Sequence, residues 1–450
     1  MKWFENIKIG ISGLRGIVGE TLTPDNIIDF TRAFSTIIRK GNVAVAKDSR
    51  ISGDTIKRAV FSGLIYSGIT PVDTFTLPTP SLGIFVKARK LNGGIIITAS
   101  HNPEKWNGLK FVNQDGLFLR PFNALNLIDI YHQRSFIEPK DNIFPTVEEE
   151  RDAFRIHMRK IHKLVDMNLI KKKRFRVLID PGGGVGSIFT GKFLEYMGCK
   201  VDMINNEIGA RFPRNPEPTI KNLEKTSQFM RKREFDVGFA QDPDGDRLSV
   251  LDECGQALGG ELTLALALYG YLSKERTGKI VVNFSTSRII EHIAQLHGIK
   301  VVKSPVGEIN VVETMIKEGA VAGGEGNGGI IIPKVHHCRD SFTGMALVLD
   351  VLAKENKKVS EIVERFPSFK IKKVKIPFSI TGAHRVICLL KEEYPEANTL
   401  DGLRVDKEKF WFHIRPSNTE PVLRIIAEGD SVNIEKILGN LIKKIQNMGE

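Results

Sequence analysis

Cysteine is scarce. The 450-residue chain carries four, Cys199, Cys254, Cys338 and Cys388, widely spaced and with no Cys-x-x-Cys pair. That excludes a zinc ribbon or a disulfide scaffold and suggests reduced thiols in a cytoplasm. Aromatic residues make up 8% of the chain and do not interleave with basic residues into a nucleic-acid platform. Long apolar runs are missing too. The best stretch, Leu262–Leu272, is broken by Thr263, Tyr269 and Gly270, short of the ~18 residues a membrane span needs. Met1–Gly13 contains Glu5 and Lys8 where a signal peptide needs an unbroken apolar segment. No export signal is read there, and a cytoplasmic location is expected.

What is present describes an ordinary globular protein, 41% hydrophobic and 26% charged. At roughly 150 residues per domain the length suggests about three domains. The net charge of +12 suits anionic partners, among them nucleic acid, a membrane surface or phosphorylated metabolites, without naming one. The sharpest basic run, Lys171–Arg174, falls between a helical pattern and a strand and reads as a solvated helix end.

A strand–loop–helix module is written three times. Val43–Ala46, Val177–Ile179 and Lys279–Phe284 each lead through a polar loop into an apolar-striped helix. The helices close near Gly68, Gly198 and Gly298, and a β-branched strand follows each. A further strand then runs into an unusual loop. Ile95–Ile97 leads to Thr98-Ala-Ser-His-Asn-Pro103, Val237–Ala240 to Asp242-Pro-Asp-Gly-Asp-Arg247, and Ala320–Ala322 to Gly323-Gly-Glu-Gly-Asn-Gly-Gly329. Alternating strands and helices predict α/β layers with parallel or mixed sheets, whose ligands gather beyond the strands' carboxyl ends. Three such loops are expected to converge on one cleft.

Breaks at Glu138–Thr146, Asp252–Gly260 and Phe366–Pro377 set the domain limits, with a helix expected to begin near Thr146. After the last break, Leu403–Val405, Phe410–Ile414 and Val422–Ala427 read as strands closed by a helix over about Val432 to Gln446. The expected fold is therefore three similar α/β domains plus a C-terminal α+β domain. The divisions are 1–145, 146–253, 254–366 and 367–450.

Each loop suggests chemistry. Asp242, Asp244 and Asp246 repel one another, and their pKa values would rise unless a cation offset the charge. All-oxygen ligands suit Mg²⁺, which also favours a phosphate oxygen. A calcium EF-hand is the nearest rival, but its sixth-position glycine would be Arg247; a turn without an ion is the other alternative. Ser100, at a strand's end, can act as a nucleophile or carry a covalent group. No Gly-x-Ser-x-Gly elbow supports a hydrolase triad, and a Ser-His pair in a turn is often structural. A phosphorylated Ser100 would supply the anionic oxygen a three-Asp metal site lacks.

Glu325 and Asn327, among five glycines, could bridge sugar hydroxyls or simply lie in a turn. Arg415-Pro-Ser-Asn-Thr-Glu420 offers a guanidinium, hydroxyls and an amide suited to a phosphate dianion, with Arg424 as a further cation; a hairpin turn with a surface Arg is the alternative. Gly182–Gly186 lacks the third glycine of a dinucleotide fingerprint, since position 187 is Ser, and reads as a strand-to-helix turn. His336-His337-Cys338 has no matching second pair and reads as loop or core.

Taken together, Thr98–Pro103, Asp242–Arg247, Gly324–Gly328 and Arg415–Glu420 resemble, in order, the four signature loops of the α-D-phosphohexomutases. That family comprises phosphoglucomutases, phosphomannomutases and phosphoglucosamine mutases. Gly324-Glu-Gly-Asn-Gly-Gly329 with Cys338-Arg339-Asp340 more closely resembles the archaeal-type and some bacterial phosphoglucosamine mutases, the archaeal type foremost, whereas Gly307-Glu308 stands where many relatives have Gly-His. The resemblance implies a heart-shaped, four-domain isomerase. By that resemblance Ser100 would carry the phosphoryl group, and one Mg²⁺ would sit on Ser100, Asp242, Asp244 and Asp246. Arg15 and Lys110 would lie near the reacting oxygen and Arg247 near the metal and phosphoserine, with His101 as a further catalytic candidate adjoining the serine. Glu325 and Asn327 would hold the sugar; Arg415, Ser417, Asn418 and Thr419 would grip the idle phosphate. It implies a phosphorylated hexose as substrate, glucosamine 6-phosphate foremost, and a hexose 1,6-bisphosphate as activator. Neither nucleic acid nor membrane is expected as a partner, and the state expected is monomer or homodimer. Two rivals keep other predictions: a phosphatase using the same metal and serine needs no far-phosphate clamp, and a non-catalytic nucleic-acid-binding protein would bind in a salt-steep way.

Overall fold

A computed structural model describes residues 8–10, 13–138, 144–209, 211–275, 277–417, 421–429 and 434–449. The chain forms two compact units, Met1–Tyr271 with Asn327–Ile362, and Leu272–Gly326 with Val363–Glu450.

In the first unit, the strand Asn42–Lys47 lies between two parallel neighbours, Thr70–Thr76 and Gly93–Ile97. The sheet continues antiparallel through Trp106–Asn113, Gly13–Ile17 and Lys8–Gly10. Fully buried Val43, Val45, Ile95 and Ile97 meet Phe30, Phe34 and Leu64 from the helices Pro24–Ile38 and Gly53–Tyr66. A second sheet repeats the plan: Arg176–Asp180 lies between parallel Lys200–Met203 and Val237–Gln241, with Leu248–Leu251 antiparallel beyond.

The glycines expected to close the first two module helices do so in the left-handed region, Gly68 at φ +72° and Gly198 at φ +85°, where a Cβ would be strained. The apolar Leu262–Leu272 stretch lies in the helix Gly259–Leu272, whose Leu264–Leu268 run is fully buried. A helix apolar on all sides belongs inside a protein. Among the described residues no helix is long and apolar enough to cross a membrane.

In the second unit the third module places Lys279–Asn283 between parallel Lys300–Ser304 and Ala322–Glu325. Gly298 closes its helix at φ +66°. The C-terminal sheet is antiparallel in the order Lys370–Pro377, Val422–Gly429, Phe410–Pro416, Leu403–Asp406. The helices Ile380–Glu393 and Ile434–Gly449 belong to the same segment, and Val386, Leu390, Leu441 and Ile445 pack on its strands.

Two local expectations are corrected. No helix begins near Thr146: Glu148–Glu149 pairs parallel with Val72 and Asp73 as a sheet edge, and the helix starts at Ala153. Gly323 and Gly324, expected in a loop, belong to the strand Ala322–Glu325. A Cβ on Gly323 would lie 2.6 Å from both the Met315 sulfur and the Val281 carbonyl oxygen, so glycine there serves close helix-on-sheet packing. All four cysteines are free.

Candidate active site

Ser100 sits just beyond the strand Gly93–Ile97, almost fully buried and in the left-handed region at φ +50°. Its Oγ donates to Asp242 Oδ2 at 3.2 Å and lies 3.4 Å from His101 Nδ1. The first two unusual loops therefore meet, as expected of a shared cleft.

The Asp242–Arg247 loop turns on Gly245, at φ +73°. Asp242 Oδ1 accepts the backbone N–H groups of Asp246 and Arg247, both at 3.1 Å. Asp242, Asp244 and Asp246 are buried and each brings one carboxylate oxygen within 4.8 Å of the others'. Asp244 Oδ2 accepts from Lys110 Nζ at 2.6 Å and Thr79 Oγ1 at 2.8 Å; Asp246 Oδ2 accepts from Arg339 Nη2 at 2.6 Å. Asp244 Oδ1 and Asp246 Oδ1 are buried without a hydrogen-bond donor. Buried carboxylate oxygens are costly to leave unpaired. Two such oxygens in an all-oxygen cluster fit a hard divalent cation.

The electrostatics follow. Burial, then the charges of Asp246 and Asp244, push the Asp242 carboxyl well above its usual range. Burial and Asp246 also work to raise Asp244, but Lys110 outweighs them and its carboxyl is held low. Burial opposes ionisation of Asp246 as well, and Arg339, Lys110 and Arg247 hold it low. Burial would pull the Lys110 ammonium down, yet Asp244 and Asp246 raise it. His101 is pushed well below the ordinary imidazole value by burial and by Arg247 and Arg15. It is neutral at physiological pH.

Arg15, on Gly13–Ile17, donates to Asn102 Oδ1 at 3.0 Å, and register sets it opposite Gly108, two residues from Lys110. Arg247 Nη1 pairs with Glu217 at 2.9 Å, and its Nε lies 3.8 Å from Asp246. Four cations thus surround three carboxylates, an arrangement suited to a dianionic group.

The remaining expected residues divide between the units. In the first, Asn327 Oδ1 accepts from Gly329 N at 3.1 Å. In the second, Glu325 is buried, its Oε1 accepting from Asn283 Nδ2 at 2.8 Å and Gly307 N at 3.2 Å. Arg415 and Arg424 face each other across paired strands. Arg424 Nη2 donates to Ser417 Oγ at 3.4 Å, and Arg415 Nε lies 3.5 Å from Asp401 Oδ1. Burial and the neighbouring Arg424 pull the Arg415 guanidinium down, Asp401 opposing them. Two guanidiniums and a hydroxyl are groups of the kind that suit a phosphate dianion. Asn418 and Thr419 lie outside the described residues.

Models of the phosphoglucomutase/phosphomannomutase α/β/α domains I, II and III match residues 6–138, 155–255 and 259–369, and the C-terminal domain model matches 351–438. The chain is 33% identical to a phosphoglucosamine/phosphogalactosamine mutase of Sulfurisphaera tokodaii over 446 residues, 97% of this chain and 98% of that one. It is 32% identical to a phosphoglucomutase/phosphomannomutase of Thermococcus kodakarensis, covering 94% of each. The chain belongs to the phosphoglucomutase/phosphomannomutase family. Like its relatives, this phosphohexomutase is an isomerase. A phosphoglucomutase/phosphomannomutase family protein from Burkholderia thailandensis shares its fold, with a TM-score of 0.86 at 23% identity, covering 97% of this chain and 96% of that one.

Several residues of this phosphohexomutase were given no role by the sequence reading. Arg339, read only as part of Cys338-Arg339-Asp340, lies 93 residues from its partner Asp246 and stands beside Asp340, the N-cap of the helix Ser341–Glu355. Thr79, Glu217, Asp48, Arg50 and Arg214 reach the loops, or in the last case the residue just before one, through contacts 27 to 165 residues apart in sequence. The discounted features stay discounted. Gly182–Val185 spends its amides on Asp180, Asn205, Pro181 and Pro243, leaving none for a phosphate. His336 is buried and bonded to the Gly116 carbonyl at 2.7 Å.

Proposed function

We propose that this phosphohexomutase interconverts hexose 6-phosphate and hexose 1-phosphate through a phosphoserine at Ser100, with glucosamine 6-phosphate as the preferred substrate. The observation that carries the proposal is the 3.2 Å bond from Ser100 Oγ into a buried three-carboxylate cluster with orphaned oxygens. The archaeal relative's name supports the amino sugar. The matched spans of the first three family models support breaks near 145 and 254 in the proposed division 1–145, 146–253, 254–366 and 367–450, while the third and fourth overlap over 351–369 around its last break.

In the forward half-reaction a sugar hydroxyl attacks the phosphorus. The bond from phosphorus to Ser100 Oγ breaks, one to the sugar oxygen forms, and the product is a hexose 1,6-bisphosphate. Overall a proton passes from that hydroxyl to Ser100 Oγ. The neutral His101, with Nδ1 at 3.4 Å from Oγ, is our candidate to carry it. The bisphosphate then turns end for end and Ser100 Oγ attacks the other phosphorus; the bond from that phosphorus to the sugar oxygen breaks, and the serine proton passes to the freed sugar oxygen. Free bisphosphate would act as the activator that reloads the serine. Arg15, Lys110 and Arg247 offset charge on the moving group. Asp242, Asp244, Asp246 and the phosphoserine would hold Mg²⁺, which when bound supplies further charge neutralisation. Glu325 and Asn327 would orient sugar hydroxyls. Arg415, Ser417 and Arg424, with Asn418 and Thr419, would grip the idle phosphate in both orientations.

The test is turnover of glucosamine, glucose and mannose phosphates side by side, with Mg²⁺ and a trace of sugar bisphosphate. A clear preference for the glucosamine compound is expected. Equal rates would favour a mutase of broad specificity, which the name of the Thermococcus relative supports. Replacing Arg415 by Ala separates both from a phosphatase: a mutase loses isomerisation by about 100-fold through lost positioning, while a phosphatase loses little.

A further inference from the structure

Ser100 holds a backbone conformation that a residue with a Cβ adopts only where its surroundings impose it. The source of that constraint lies just past the end of the neighbouring strand, whose last pair with the serine's strand is Lys47 with Ile97. Asp48 follows Asn42–Lys47 directly, and both it and Arg50 are buried. Arg50 Nε pairs with Asp48 Oδ2 at 3.0 Å. The other guanidinium nitrogens face the carbonyls of the serine loop. Nη2 donates to the oxygens of Ser100 at 2.6 Å and Asn102 at 2.8 Å, and Nη1 to those of Pro103 and Trp106, both at 2.9 Å. From the other side, Thr98 Oγ1 donates to the same Asp48 oxygen at 2.6 Å and accepts from Ser100 N at 2.8 Å. Both the N–H and the C=O of Ser100 are thus tied to one buried ion pair.

None of these atoms needs to touch the sugar phosphate. We infer that Arg50, locked by Asp48 and seconded by Thr98, is the positioning residue that holds Ser100 in its left-handed conformation and so aims Oγ at the carboxylate cluster. The inference rests on the proposed role of Ser100. The planar fork is what the task requires: a lysine offers one point of donation where Arg50 spreads several donors across four carbonyls and a carboxylate. Phosphoryl transfer depends on aim, and a misplacement of about 1 Å can cost about 100-fold in rate. Binding of the sugar phosphate does not depend on it.

The experiment uses Thr98→Val, Thr98→Ser and Arg50→Lys in the full-length protein. It reads kcat, KM, the single-turnover rate of ³²P leaving phosphoserine for substrate, and hydrogen exchange at the Ser100 amide. Thr98→Val keeps the residue's shape and removes the hydroxyl, so it keeps the test open should Arg50→Lys fail to fold. The expected result for Thr98→Val is faster exchange at Ser100 and a kcat about 100-fold lower, with KM changed less than about threefold. Thr98→Ser should restore both. Wild-type kcat in a variant whose Ser100 amide has lost protection would overturn the inference. So would a rate loss that merely follows the folded fraction, with surviving molecules at full speed. Wild-type protein that never carries label on Ser100 would instead sink the proposed function, whereas labelled wild type with an equally fast Thr98→Val sinks this inference alone.

Discussion

The two units secure their functional loops by different means. In the first, an aspartate at the end of a module's leading strand recruits a buried arginine. Asp48 does so with Arg50 for the serine loop. Asp180, at the matching place in the second module, holds Arg214 Nε at 3.1 Å, and Arg214 Nη2 donates to the Gln241 carbonyl at 2.7 Å, one residue before the acidic loop. In the second unit the matching position is Asn283, which reaches Glu325 with a neutral amide, while the buried arginine nearby, Arg404, pairs with Asp406 and donates to the Phe284 carbonyl instead. A charged, multidentate clamp costs desolvation that only a rigid requirement repays. On the proposed function, bond-making at phosphorus would impose such a requirement, and holding a sugar accepted in two orientations would not. The same module therefore serves as a stiff mount twice and a softer one once.

That contrast can be broken or sharpened. The largest expected effect is acid sensitivity common to both units. Burial pulls His336 in the first unit and His413 in the second down to about 4 from 6.5. Between those values the unfolded chain binds protons that the folded chain does not, so stability falls as pH drops from about 6.5 to about 4. Each histidine contributes on the order of 3 kcal/mol to that loss. Denaturation midpoints from pH 7 to pH 4.5 should show a shallower acid slope in His336→Gln and in His413→Gln. An unchanged slope in either would remove that group from the account.

Next in size, Arg214→Lys should raise the Mg²⁺ concentration needed for half activity by about 30-fold, the usual scale for support around metal ligands. Titration calorimetry of Mg²⁺ binding should follow. An unchanged Mg²⁺ requirement would show that the acidic loop holds itself. The smallest effect is expected from Asn283→Ala, a KM for the sugar phosphate about fivefold higher with kcat little changed, the scale of one hydrogen bond. A kcat collapse there as large as that of Thr98→Val would erase the difference between stiff and soft mounts.

Much of the fold was legible because it is local. Strand, glycine-closed helix and strand recur at matching spacing, and the leading strands Asn42–Lys47, Arg176–Asp180 and Lys279–Asn283 fall where the β-branched runs placed them. The serine and the three aspartates were legible because unlike chemistries crowd short loops. Gly323 misled because glycine signals a loop locally, while here it answers a methionine and a carbonyl contributed by other elements. Thr146 misled because the short edge strand beside Asp73 depends on a partner over 70 residues away. The contacts of Arg50, Arg214 and Arg339 were silent for the same reason: an arginine in a loop looks like surface until the chain closes over it.

The most direct test of the whole account is isomerisation by Ser100→Ala beside the wild type, with Mg²⁺ and a trace of hexose 1,6-bisphosphate. The account predicts that turnover falls by at least about 1,000-fold, the scale of losing a nucleophile, and that ³²P from substrate labels the wild type alone. Undiminished interconversion by the alanine variant would contradict it.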